Sequence, residues 1–64
     1  MARTLTFVIA PNGEGWGIWL DGLLLEEPST EASARESVRV RLDGVRERGD
    51  LGRMVMSTEP PAKL

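Results

Sequence analysis

Two turn dipeptides, Asn12-Gly13 and Asp21-Gly22, bracket the segment Glu14-Gly15-Trp16-Gly17-Ile18-Trp19-Leu20. Asn-Gly and Asp-Gly are the strongest two-residue hairpin signals, because a type I′ turn needs positive φ at both central residues. Two such turns this close together leave room for strands only. They commit the first half of the chain to a three-stranded antiparallel meander. The apolar pattern agrees: Leu5, Phe7 and Ile9 alternate with other residues, as do Trp16, Ile18 and Leu20. With Asn12-Gly13 as the first turn, Pro11 faces Glu14, Ile9 faces Trp16, Phe7 faces Ile18 and Leu5 faces Leu20. With Asp21-Gly22 as the second, Leu20 faces Leu23, Trp19 faces Leu24 and Ile18 faces Leu25. A slip of one residue would mix the two faces of every strand.

Glu26, Glu27 and Pro28 end the third strand, and Ser29 or Thr30 supplies an N-cap, with Glu31 in the first turn that follows. From there to about Arg48 the pattern is helical. Ala34, Val38, Leu42 and Val45 form one apolar stripe. Gly49 suits the position after the helix. Gly44 is an unfavourable helix residue, by about 1 kcal/mol against Ala, and marks either close packing or an earlier helix end. Residues 51–57 read as a last strand, with Met54 and Met56 toward the helix and Val55 on the other face. A right-handed crossover returns this strand parallel to the first. The expected fold is α+β, in the order β-β-β-α-β, with a sheet of strand order 3-2-1-4. Residues 1–57 make the single domain and 58–64, with Pro60-Pro61, a loose C-terminal tail.

One helix covers one face of such a sheet. The other face receives Val8, Trp19, Leu24 and Val55, with Thr6 among them. Two readings of this face compete. In one, Trp19 lies flat over Gly17 and Thr6 and shields the sheet. In the other, the preferred one, the face is an interface, since exposed apolar patches mark interaction sites and Trp is enriched among residues that dominate binding. A homodimer, through this face or through a sheet edge, is the leading case, because a 64-residue chain buries little core of its own.

The residue inventory argues against catalysis. There is no His and no Cys, which removes the usual acid–base group near neutral pH, the commonest zinc ligand, thiolate metal sites and disulfides. Ser29, Ser33 and Ser37 have no imidazole to activate them. Gly13-x-Gly15-x-Gly17 imitates a phosphate loop, but it lies in a hairpin rather than opening a helix. No enzyme activity, cofactor or metal is expected. The net charge is −2, which gives no bulk attraction to nucleic acid. Arg35, Arg39 and Arg46 nevertheless share one helix face and form the alternative, a nucleic-acid contact. An ordinary salt-bridged surface, given Glu36, Asp43 and Glu47 on the adjacent strip, is the simpler reading. Glu26 and Glu27 are candidate electrostatic contacts for a basic partner, with solvated edge charge as the simpler reading. No apolar run is long enough to span a membrane, and the expected location is the cytoplasm.

The chain resembles the small domains of the HicB-like antitoxin superfamily and related short bacterial β-β-β-α-β proteins. The resemblance is carried by a strand ending in Ile9-Ala10-Pro11, a Gly-rich turn before Trp16, and Ser29-Thr30 leading into a helix with Ala34. The final Gly49-x-Leu51 and Met54-Val55-Met56 strand adds to it. Where HicB-like antitoxins carry a Pro-x-Leu-Pro-Gly-Cys stretch, this chain has Leu24-Leu25-Glu26-Glu27-Pro28. The resemblance implies the same fold, dimerisation and a protein-binding role, as an antitoxin or an inhibitor. A phage or mobile-element inhibitor of a nucleic-acid-processing complex is an alternative of the same size and acidity.

Overall fold

The computed structural model describes residues 3–61. Strands β1 (Thr4–Asn12), β2 (Gly15–Leu20) and β3 (Leu23–Glu26) are followed by helix α1 (Glu31–Glu47) and strand β4 (Leu51–Met56). They form one sheet of order β3-β2-β1-β4, in which β4 runs parallel to β1 and the other pairs are antiparallel. The fold class, element order and strand order are those expected from the sequence.

The register of the first hairpin differs from that expectation by two residues. Asn12 pairs with Gly15, Pro11 with Trp16, Ile9 with Ile18 and Phe7 with Leu20. The turn is therefore Gly13-Glu14, and of these two only Gly13 has positive φ, at 62°. This is the type II′ pattern, which asks for Gly at the first central position only. Because the side-chain period of a strand is two, the shift leaves every residue on its expected face. Gly15 passes close to the end of the β3 connection: a Cβ there would lie 3.0 Å from the Pro28 carbonyl oxygen, and the Trp16 N–H donates to that same oxygen at 2.9 Å. The second turn is Asp21-Gly22, with φ of 54° and 78°, a type I′ turn that pairs Leu20 with Leu23 and Trp19 with Leu24.

Beyond Trp19 the β2–β3 ladder carries a bulge, and Ile18 pairs with Glu26 instead of Leu25. An extra residue of this kind bends the strand and re-aims the side chains after it. Here it leaves Leu25 packed against the core and turns Glu26 toward α1.

The helix starts at Thr30, whose Oγ1 accepts a hydrogen bond from the Ser33 N–H at 3.1 Å, the expected N-cap contact. It ends at Arg48, with Gly49 at φ 84° taking the left-handed position beyond. Ala34, Val38 and Val45 of its stripe are buried with Phe7, Ile9 and Ile18, and Leu42, Leu5, Leu20 and Trp16 pack around them. Gly44 neither ends the helix nor marks close packing: a Cβ there would meet nothing within 4 Å. The close approach is at Gly52 of β4, where a Cβ would collide with the Leu42 side chain. Gly52, Met54 and Met56 thus face α1, as expected of the two methionines.

Candidate functional site

Pairing across the whole sheet builds the candidate site. Val8 is the register partner of Trp19 on β2 and of Val55 on β4, and Trp19 is the partner of Leu24 on β3. Residues directly opposite in adjacent strands point to the same face. Leu24, Trp19, Val8 and Val55 therefore form one apolar row across all four strands, on the face away from α1. Thr6 sits beside the row, paired with Arg53. A first turn at Asn12-Gly13 would set Thr6 across from Trp19; the two-residue register shift puts Val8 there instead.

Trp19 does not stand out from this face. It is only 8% exposed. A Cβ on Gly17, two residues back on the same face, would lie 2.5 and 2.7 Å from the six-membered ring of the indole. The ring thus lies flat over a position that has no side chain. Of the two readings of Trp19, the shield is the one this geometry fits, over Gly17 rather than Thr6. The solvent-facing part of the row lies at its ends, with Leu24 39% and Val55 36% exposed. Trp19 and Val8 make a stiff floor between them. A flat indole floor flanked by two aliphatic side chains offers dispersion contact and desolvation.

The charged candidates lie elsewhere. Arg35 is bound to Glu31 at 2.9 Å, and Arg39 to Glu36 at 2.5 Å and to Asp43 at 3.8 Å. The hydrogen bonds from Arg39, and then its charge, hold the Glu36 carboxyl below the ordinary carboxylate range. Two of the three arginines of the proposed nucleic-acid ridge are thus matched by acids of their own helix, and Arg46 is exposed beside them.

Glu26 and Glu27 are not free edge charges. Glu27 accepts a hydrogen bond from Asn12 Nδ2 at 3.2 Å. Glu26 Oε2 accepts from Arg41 Nε and Nη2 at 2.9 and 2.6 Å, and its Oε1 accepts from Ser37 Oγ at 3.1 Å. The hydrogen bonds from Arg41, outweighing the opposite push of burial, hold the Glu26 carboxyl below its ordinary range, with Ser37 adding to the effect. Arg41 was not singled out in the sequence. Its position on the β3 side of α1 becomes visible only once the bulge has turned Glu26 over.

Among the described residues no group of three or more acidic side chains converges in a way that could hold a metal ion, and no helix is long and apolar enough to cross a membrane. A cleft of about 430 Å³ opens between α1 and the sheet, lined by Leu5, Phe7, Leu20, Arg41 and Gly44 among others. Comparison of the chain with protein-family models, with curated proteins and with solved structures gives no match.

Proposed function

We propose that this chain is a non-catalytic protein-binding module that works as a homodimer and docks a partner protein on the open face of its sheet. The observation that carries the reading is the row Leu24–Trp19–Val8–Val55, which crosses all four strands on the face opposite the only helix among the described residues. The row's exposed apolar ends, Leu24 and Val55, joined by the packed Trp19 and Val8 between them, are the kind of surface that interaction sites use. The pre-ordered indole lowers the entropy cost of docking, because Trp19 loses no further side-chain freedom. The HicB-like resemblance makes antitoxin action on a toxin protein the most concrete form of the function. Inhibition of a nucleic-acid-processing complex is the alternative use of the same surface.

The test uses the product of a gene adjacent to this one as the partner. The wild-type chain is expected to co-purify with it as a defined complex, and Leu24→Asp, which places a charge at the exposed end of the row, to lose it while keeping its fold by circular dichroism. A complex that survives Leu24→Asp unchanged would move the docking site off this face.

A further inference from the structure

The outer edge of β4 is built differently from the outer edge of β3. Strand β3 has four residues, ends in a bulge against β2 and runs into Glu26, Glu27 and Pro28. Short length, acidic residues, proline and bulges are the devices by which sheet edges avoid pairing. Strand β4 has six residues, Leu51-Gly52-Arg53-Met54-Val55-Met56, with a single charge and an unbroken register against β1. Leu51 is exposed, and Met54 and Met56 are each 40% exposed.

The hydrogen bonds to β1 fix which backbone groups remain. The Leu51 N–H donates to the Arg3 carbonyl and the Ser57 N–H to the Ile9 carbonyl, both at 2.8 Å. Backbone groups alternate along a strand, so the N–H and C=O of Leu51, Arg53, Val55 and Ser57 turn to β1. Those of Gly52, Met54 and Met56 turn outward, away from the sheet.

From this edge we infer that two copies of the chain join β4 to β4 in antiparallel fashion, with Met54 facing its own copy across the two-fold axis. The inference deepens the reading of the chain as a homodimeric binding module by naming the dimer surface. In this register Gly52 pairs with Met56 of the partner subunit, and Met54 with Met54 of the partner subunit. Each is a pair that exchanges both N–H···O bonds, so all the outward groups are used. Arg53 comes opposite Val55 of the partner subunit. The register centred on Arg53 would set two guanidinium groups face to face, and like charges directly opposite are destabilising. On the helix side the place above Gly52 is already taken by Leu42, so in this register the side chain of Met56 of the partner subunit packs against Leu42. Arg35 and Arg39, on the flank of α1 that Leu42 directs to β4, are already paired with acids of their own helix, with Arg46 exposed on the same flank. The result is one eight-stranded sheet with both helices on one side and two apolar rows on the other.

The wild-type chain has no cysteine, which gives a clean test. Antiparallel residues in a hydrogen-bonded pair have Cα atoms about 5.5 Å apart, within disulfide reach. Light scattering on the wild type is expected to give twice the 7.0 kDa of one chain. Met54→Cys is expected to cross-link to a covalent dimer on mild oxidation, and Val40→Cys, an exposed control on α1, to remain uncross-linked. Met54→Lys, which sets two ammonium groups together at the axis, is expected to give the monomer with an unchanged circular dichroism spectrum. Met54→Pro, which removes an outward N–H, is expected to do the same. A monomeric wild type, or a Met54→Cys chain that cross-links no faster than Val40→Cys, overturns the inference. So does a dimer that withstands both Met54 variants. If that dimer is instead broken by Leu24→Asp, self-association belongs to the open face, and the proposal of a binding module survives the loss of the edge dimer.

Discussion

Arg41 on α1 grips Glu26 at the end of β3 through two guanidinium hydrogen bonds to one carboxylate oxygen, tying the helix to the short edge strand of the sheet. The contact exists because of the bulge that pairs Glu26 with Ile18; without it Glu26 would point to the opposite face. Both side chains keep more than a third of their surface in solvent, so screening limits the pair to the range of exposed salt bridges, about 0.2–1 kcal/mol.

The pH dependence follows from the direction of the Glu26 shift. The folded-state carboxyl lies below its value in the unfolded chain, so its contribution to stability is present above the unfolded value and is lost as pH falls through the folded one. Glu26→Gln is expected to be less stable than the wild type at pH 7 by no more than about 1 kcal/mol. The difference is expected to vanish at pH values below the carboxylate range. Urea denaturation of both proteins at neutral and acid pH measures it. A gap that persists in acid would assign the loss to packing instead.

A second prediction concerns the floor of the open face. Gly17→Ala places a methyl group inside the volume of the Trp19 indole, which must lift off the sheet. Overpacking of this kind costs about 1–3 kcal/mol. In a Trp16→Phe background, so that only Trp19 emits, the emission is expected to shift to the red as the ring meets water. An unshifted spectrum would show that the ring does not rest on Gly17.

The two faces of the sheet were legible in the sequence because alternation survives a two-residue error in register. Val8, Trp19, Leu24 and Val55 share a face in either pairing. The register itself was not legible. Asn12-Gly13 carries a strong type I′ signal, yet the approach of Gly15 to the Pro28 carbonyl depends on a connection that lies far along the chain. The bulge was equally hidden, since three consecutive leucines give no mark of which one is extra. The flat posture of Trp19 was one of two readings open from the sequence, since Gly17 two positions earlier leaves space for the ring; nothing in the residue pattern alone decides between a shield and an interface. On α1 both the row of arginines and the acids one turn away were legible at helical spacing, and the structure pairs Arg35 and Arg39 with those acids.

Glycine within the helix supplies a third prediction. Gly44 lines the cleft between α1 and the sheet, and a Cβ there meets no neighbour. Gly44→Ala is expected to stabilise the fold by about 0.5–1 kcal/mol, through better helix propensity and a less flexible unfolded chain. A higher urea midpoint with an unchanged slope is the expected readout. A loss of stability would mean that the cleft is filled in the folded protein.

Gly52 is the counterpart of Gly44, and the same substitution has the opposite sign there. The Leu42 side chain occupies the place a Cβ would take, and Val45 lies 3.5 Å from it, so α1 rests on bare backbone at this point of β4. Gly52→Ala forces either a new rotamer at Leu42 or a shift of the helix away from the sheet, at a cost of about 1–3 kcal/mol. If Leu42 is what blocks the methyl group, shortening it relieves the clash. Gly52→Ala in a Leu42→Ala background is then expected to cost less than in the wild type, a coupling that a double-mutant cycle reads directly. Strict additivity would show that the helix meets β4 somewhere else.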